Sequence, residues 1–437
     1  MSSSNHDKLV ITYLTPSSLR PDPRNPRKHS KRHIKQLAKS IEAFGFIVPA
    51  LIDGERQLVT GHGRVDAAKQ LGLAEVPTIC VDHLTFEQRQ AYMIADNRLT
   101  DLSSWNTELL GQILVDLTEA EIDFGIEAIG FSVAEIDLLL TTAEVVDSAD
   151  DELVPEGPAV TRLGDRWDLG RHVIICGSAL DEATYTALLA GEKVDVVVGD
   201  PPYNVPIAGH VSGLGKIKHR EFAEGVGEMS EGEFIVWLER AFRLAARSSG
   251  NGSLHYWAID WRHLYEMTVA ARSTYTEQVN LCVWTKSAAG MGSFYRSQHE
   301  LFVVWRHGKS RHRNNVELGR FGRSRTNVWP CAGATGGGSK TDEGNLLTLH
   351  PTVKPIKLIA DIILDSTMRG DLVLDPFLGS GSCLIAAEKV GRRCRGIELD
   401  PHYVDTAIRR WQRWSGEQAR RSGDGALFDD LECAASL

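Results

Sequence analysis

Cysteine is scarce and unpatterned in this chain: seven residues among 437, with no Cys-x-x-Cys pair and no spacing typical of metal ligands. A disulfide framework and a zinc site are therefore not expected, and a reducing compartment suits the chain. No metal is expected. No apolar run approaches the roughly 18 residues of a membrane span, and the opening MSSSNHDKL has no apolar signal core. A cytoplasmic protein with no membrane partner is expected, associated with the nucleoid if it binds DNA. Positive charge is also in deficit. Lys and Arg number 48 against 58 Asp and Glu, a net charge of −10, which argues against a nucleic-acid partner held by global charge but leaves local clusters open. Any Gly-x-x-x-x-Gly-Lys-Ser/Thr loop is missing too, so a phosphate-cradling loop of that kind is not indicated.

What is present describes an ordinary globular chain. With 42% hydrophobic and 24% charged residues it can bury a real core, and its length suffices for two or three domains. The stretch TAEVVDSADDELVPEGPAV, Thr142 to Val160, is acidic and contains proline, the signature of a linker. The expected division is a small α/β domain over residues 1–141, a linker over 142–160 and a larger domain over 161–437. In the first, LVITYL, PALIDG and VPTICV read as strands. HIKQLAKSIEAFG reads as a helix, because Ile34, Leu37, Ile41 and Phe44 share one helical face and Gly45 ends it. In the larger domain strands and helices take turns: HVIICG, DEATYTALLAG, VDVVVGD, EFIVWLERAFRLAAR, NGSLHYW and, near the end, KLIADIILDSTM, LVLDPF, CLIAAEKVG and CRGIEL. Such alternation predicts an α/β fold with a parallel sheet covered by helices on both faces.

Strand ends in the larger domain carry the chemistry. Asp375 closes one strand, and Gly379 and Gly381 open the helix behind it. Glycines let backbone approach a ligand, and a helix start offers unbonded N–H groups. One strand later Glu398 ends the next strand, where an acid can accept both hydroxyls of a ribose. Together they predict a nucleoside site. Asp375 stands where a dinucleotide fingerprint has its first glycine, which suits a cationic, phosphate-free ligand such as S-adenosylmethionine. A further strand end, VDVVVGDPPYNV from Val194 to Val205, sets an acid, two prolines and a tyrosine behind a buried strand.

With DPPYN at Asp200 to Asn204, HPTVKP at His350 to Pro355, DPFLGSG at Asp375 to Gly381 and GIELD at Gly396 to Asp400, the chain from about Leu163 to Trp414 resembles the amino-group DNA methyltransferases. The catalytic motif precedes the cofactor motif, as in the permuted beta class of the N-4/N-6 family. The resemblance implies a Rossmann-like S-adenosylmethionine-dependent sheet with circularly permuted motif order, in which the strands before DPPY and DPF lie side by side. It implies site-specific methyl transfer to the exocyclic amine of a flipped-out base, with adenine N6 ahead of cytosine N4. Asp200, Pro201, Pro202 and Tyr203 would be catalytic. Asp375, Phe377, Gly379, Ser380, Gly381 and Glu398 would hold the cofactor, with Thr352, Lys354 and Pro355 helping; the alternative for Lys354 is a solvated lysine at a helix start. Relatives usually read Gly-Asp after the strand HVIIC, where this chain has Gly177-Ser178, so Asp181 is the alternative contact to the adenine ring.

The run from Trp305 to Trp329 carries Arg306, Lys309, Arg311, Arg313, Arg320, Arg323 and Arg325 against the single acid Glu317. It falls in the target-recognition insert that the resemblance puts at about residues 306–349. Arg311, Arg313, Arg320, Arg323 and Arg325 are therefore read as DNA contacts rather than a solvated face. Tyr256, Phe294 and Tyr295 are secondary candidates for a base pocket, against the alternative of core aromatics.

NPRKHS, IKQLAKSIEAFGFIVPALID and LVTGHGRVDAAKQLGLAEVPTICV, over about Leu9 to Leu102, resemble the ParB/sulfiredoxin-like domain. Relatives take a nucleotide triphosphate on a Gly-Glu-Arg-Arg loop. Here the equivalent is Gly61-His62-Gly63-Arg64, matching at its first and last residues, which leaves Gly61 and Arg64 as phosphate candidates. Double-stranded DNA is the expected partner, and a homodimer and a nucleotide at the N-terminal domain are further candidates. Competing with adenine methylation are cytosine-N4 methylation, a non-catalytic ParB-like DNA-binding or segregation protein, and methylation of a protein glutamine or of RNA.

Overall fold

The computed structural model describes residues 9–102, 105–119, 124–131, 135–137, 159–205, 227–286, 289, 294–316, 324–331 and 354–435. The chain divides into two compact units, Met1–Ala143 and Glu144–Leu437.

The first unit contains β1 (Ile11–Leu14), α1 (Lys31–Phe44), β2 (Ala50–Ile52), β3 (Leu58–Thr60), α2 (His62–Leu71), β4 (Val76–Cys80), α3 (Phe86–Asp101) and α4 (Thr107–Glu119). Its strands form one sheet in the order β1-β4-β2-β3. Helix α1 begins on Ser30, whose hydroxyl accepts a hydrogen bond from the His33 amide, and ends at Gly45 as its spacing predicted. A capping box of Thr85 and Gln88 opens α3.

The second unit contains β5 (Arg166–Leu169), β6 (His172–Cys176), α5 (Glu182–Leu189), β7 (Val194–Gly199), α6 (Glu231–Ser248), β8 (Ser249–Ile259), α7 (Leu264–Arg272), β9 (Glu277–Thr285) and β10 (His299–Arg306). It continues with β11 (Val328–Pro330), α8 (Ile356–Ser366), β12 (Leu372–Asp375), α9 (Ser382–Lys389), β13 (Arg393–Glu398), α10 (Pro401–Ser415), β14 (Arg420–Arg421) and α11 (Phe428–Ala435). One sheet joins all its strands in the order β11-β9-β10-β8-β7-β12-β13-β6-β5-β14. The stretch β8-β7-β12-β13-β6 is parallel throughout, as the alternation predicted. Strand β10 runs antiparallel to both of its neighbours.

A hydrophobic core lies on each face of this sheet. Val196, Val198, Val373 and Cys394 pack with Ile359 and Ile363 of α8, Leu384 of α9 and Ile408 of α10. On the other face Val197, Leu374 and Ile397 pack with Leu188 of α5, Phe242 of α6 and Met267 of α7. Each such aliphatic side chain contributes about 1.5–3 kcal/mol when fully buried, so the alternating strands anchor helices on both sides.

Two contacts fix the pairing of β7 with β12. Val196 and Val197 of β7 pair with Val373 and Leu374 of β12, and Asp195 accepts a hydrogen bond from the Leu372 amide at 2.8 Å. The strands leading to Asp200 and Asp375 are thus neighbours, as the resemblance implied. Because β10 is antiparallel, it starts at His299 on this carboxyl edge and carries the chain to Arg306 at the opposite edge. Among the described residues no helix is long and apolar enough to cross a membrane.

Candidate active site

Strand β7 ends on Gly199 for a steric reason: a Cβ there would fall 2.1 Å from Cζ3 of Trp257. The chain then turns through Asp200, Pro201, Pro202 and Tyr203. Asn204 ends the turn in the left-handed region at φ 54°, which asparagine tolerates better than most residues. Its side chain donates to the Met229 carbonyl at 2.7 Å and accepts from the Gly227 and Met229 amides. Asn204 therefore ties the loop to the segment leading into α6, a role the sequence reading did not assign.

Four side chains surround Asp200. The Tyr203 hydroxyl donates to its Oδ1 at 2.7 Å, and the Lys354 ammonium contacts its Oδ2 at 2.6 Å. Lys354 also pairs with Glu300 Oε2 at 2.9 Å, while Lys286 pairs with Glu300 Oε1 at 2.5 Å. Lys354 is 6% exposed, so it is not a solvated lysine at a helix start. The Asp200 side chain keeps 25% of its surface exposed, and a carboxylate has about four acceptor positions, so an incoming N–H group can still bind it.

Burial raises the Asp200 carboxyl; Lys354 opposes that rise and Glu300 adds to it. Burial also works against a charged Glu300, yet Lys354 and Lys286 together hold it down at about 2. Desolvation likewise works against the Lys354 charge, and the carboxylates of Asp200 and Glu300 outweigh it, raising Lys354 above its ordinary value.

One strand away lies a second cluster. The Phe377 amide donates to Asp375 Oδ1 at 3.0 Å, the Gly379 amide to Glu398 Oε2 and the Asp400 amide to Glu398 Oε1, both at 2.8 Å. Gly381 begins α9 with φ 89°, and a Cβ there would fall 2.8 Å from that of Ala407 on α10. Arg410 donates to both the carbonyl and the hydroxyl of Ser380. Phe377 stacks on Trp237 at 5.6 Å.

Burial pushes the Asp375 carboxyl up to about 8, with Asp200 and Glu398 adding repulsion. Burial pushes Glu398 up to about 7. Such a cleft is short of positive charge, which a sulfonium would supply. Ser382 Oγ, at the start of α9, is buried with no hydrogen-bond partner among the described residues, an orphan that a ligand can satisfy. These residues fit S-adenosylmethionine.

Other expected site residues fall elsewhere. Thr352, Arg320 and Arg323 lie outside the described residues. Pro355 is buried at the start of α8. Asp181 caps α5, accepting from the Ala183 amide, and Ser178 accepts from the Leu180 amide. Tyr256 is a core residue at 5% exposure, whereas Phe294 and Tyr295 are exposed at 85% and 83%.

The described part of the basic run is divided between two places. Arg311 and Arg313 are exposed but lie beyond the far end of β10, where Ser310 donates to Asn251 near the start of β8. The antiparallel course of β10 takes them away from the edge that holds Asp200. Arg325 pairs with Asp361 at 3.1 Å and Asp365 at 3.4 Å on α8, so it secures its own segment. In the first unit Gly61 caps α2 at φ 90°. Arg64 Nε there is buried without a hydrogen-bond partner.

An open α/β sheet with a carboxylate-proline-proline loop beside a glycine-and-acid cleft defines the class of methyltransferases acting on amino groups. The N6/N4 DNA methylase family model matches residues 194–409, the ParB N-terminal domain residues 1–97, and the ParB-methyltransferase HTH domain residues 108–163. The chain carries an N6/N4 DNA methylase domain and, ahead of it, a ParB N-terminal domain. It is a DNA amino-methyltransferase, and the cofactor of its family is S-adenosylmethionine. The HTH match covers α4 and the stretch expected as a linker, and that domain was not anticipated from the sequence.

The Type II methyltransferase M2.DpnII of Streptococcus pneumoniae is 28% identical over 245 residues, 53% of this chain and 87% of that relative. The ParB-like nuclease domain-containing protein YnaK of Escherichia coli K12 is 43% identical over 84 residues, 19% of this chain and 97% of that relative. Among solved structures, a putative DNA modification methylase of Thermus thermophilus, complexed with S-adenosylmethionine, aligns at TM-score 0.38 and 21% identity. That alignment covers 55% of this chain and 93% of the other.

Proposed function

We propose that the chain methylates adenine N6 at a specific site in double-stranded DNA. The observation that carries the reading is Asp200, a carboxylate rather than a hydroxyl at the head of the Pro201-Pro202-Tyr203 loop, one strand from the cofactor cleft. An exocyclic amine is a poor nucleophile because its lone pair is delocalised into the ring. Asp200 and the Pro201 carbonyl accept its two N–H groups, which favours a pyramidal nitrogen with its lone pair free for attack. Pro201 and Pro202 keep these acceptors in place, since both φ angles are fixed. The ring of Tyr203 offers a flat face to a base outside the stack.

S-adenosylmethionine, when bound, supplies an electrophilic methyl group. Asp375, Phe377, Gly379, Ser380, Gly381 and Glu398 would hold it, and alignment of the two halves supplies most of the rate. The proton released from the methylated nitrogen passes to Asp200 and out through its exposed side.

Sequencing DNA from cells that express the protein, with modified bases detected, is expected to reveal N6-methyladenine in one sequence context. N4-methylcytosine instead would move the reading to the other amine, and absence of both would remove it. For the N-terminal unit, taken over residues 1–141, we propose phosphate binding at Gly61 and Arg64. The orphaned Arg64 Nε supports this, and loss of CTP or ATP binding in Arg64→Ala tests it.

A further inference from the structure

Lys286, Glu300 and Lys354 come from three separate elements and form a chain of ion pairs that ends on Asp200. Lys286 follows β9, with its amide bonded to the Gln298 carbonyl at 2.9 Å. Glu300 lies in β10, and Lys354 precedes α8. Charges alternate along the chain Lys286, Glu300, Lys354, Asp200, with contacts of 2.5, 2.9 and 2.6 Å. The Tyr203 hydroxyl joins it, 3.3 Å from Glu300 Oε2 and 3.3 Å from Lys354 Nζ.

We infer that Glu300 is a positioning residue: anchored by Lys286, it holds the Lys354 ammonium against Asp200, so that Asp200 meets the target amine as a charged acceptor. This rests on the reading of Asp200 given above.

The need for such a device follows from the surroundings. Asp200 faces Glu300 on β10, Tyr203 in its own loop, Lys354 at the start of α8 and Asp375 at the end of β12. Without a cation this buried acidic corner would favour a neutral carboxyl. A protonated Asp200 presents an O–H donor and loses acceptor capacity toward the amine. Lys354 prevents this, but a buried lysine facing one carboxylate is itself liable to lose its proton. The second carboxylate, Glu300, keeps Lys354 charged, and Lys286 offsets the charge that Glu300 adds.

Three variants test the inference. Methyl incorporation from labelled S-adenosylmethionine into unmethylated genomic DNA is followed across pH, and cofactor affinity is measured by titration calorimetry. K354M is expected to bind cofactor within about threefold of wild type. The acid limb of its kcat/KM profile should rise by about one pH unit or more, roughly a tenfold loss at pH values below that limb. K354R should restore the profile, and E300Q should lower kcat and move the acid limb upward by less than K354M does, because the lost hold on Lys354 is partly offset by loss of Glu300's own repulsion of Asp200.

Infrared difference spectra read the same event without activity: as pH falls, a protonated carboxyl band should appear in K354M at a higher pH than in wild type, and vanish when D200N is added. A uniform loss at every pH, an unshifted profile, loss of cofactor binding, or absence of the band would each overturn the inference. An inactive wild type whose K354M variant shows the band would remove the functional reading and leave this one standing.

Discussion

Asp200, Asp375 and Glu398 end three adjacent parallel strands, yet their surroundings assign them different tasks. Asp200 has a cation and stays open to an incoming group, which suits an acceptor. Asp200→Asn should therefore lower methyl transfer by about 100-fold or more while leaving cofactor affinity unchanged, as filter binding and calorimetry can check. Asp375 has no such cation among the described residues, and its carboxyl moves from an ordinary 3.8 to about 8. The folded protein then holds a proton that the unfolded chain releases. The stability cost is absent below about pH 4, grows with pH, and levels off above about pH 8. Asp375→Asn removes that cost, so its melting temperature relative to wild type, measured without cofactor, should rise between pH 5 and pH 8. Cofactor binding should weaken in the same variant. A constant difference across pH would contradict the assignment.

Elements act on the site through close contacts that single substitutions can test. Gly381 lets α9 approach α10, and its φ of 89° is one that side chains rarely adopt. Gly381→Ala should cost about 1–3 kcal/mol in urea denaturation and weaken cofactor binding by displacing the Asp375 loop. Helix α8 joins two parts of the unit, because Lys354 and Pro355 precede it while Asp361 and Asp365 on its flank hold Arg325. Arg325→Ala should lower the melting temperature and leave the salt dependence of DNA binding unaltered. A shallower dependence would instead make Arg325 a phosphate contact.

For the whole molecule, a net charge of −10 means that any grip on DNA is local. Affinity for duplex DNA should fall linearly on logarithmic axes as salt rises, by about 0.9 for each phosphate neutralised; fluorescence anisotropy measures this, and salt-independent binding would exclude a phosphate grip. Much of the fold was legible beforehand. Apolar spacing along α1, the alternation of strand and helix in the second unit, and the motifs at Asp200, Asp375 and Glu398 are local patterns, and local patterns survive in a linear reading. The β9–β10 excursion and the C-terminal β14 and α11 were not anticipated, since their pairing depends on distant partners. The fate of two charges was equally hidden. Lys354 lies 154 residues from Asp200, and only the sheet order, which sets β10 beside β8 and β8 beside β7, together with the start of α8, makes it part of the same site as Glu300. Charge carries no information about strand direction either, and the antiparallel course of β10 takes Arg311 and Arg313 to the edge opposite Asp200. Spacing and residue type settle which elements form and which chemistry they can carry, because both act over a few residues. Which charges meet is a property of the assembled sheet, because burial and strand direction exist only once the chain has folded.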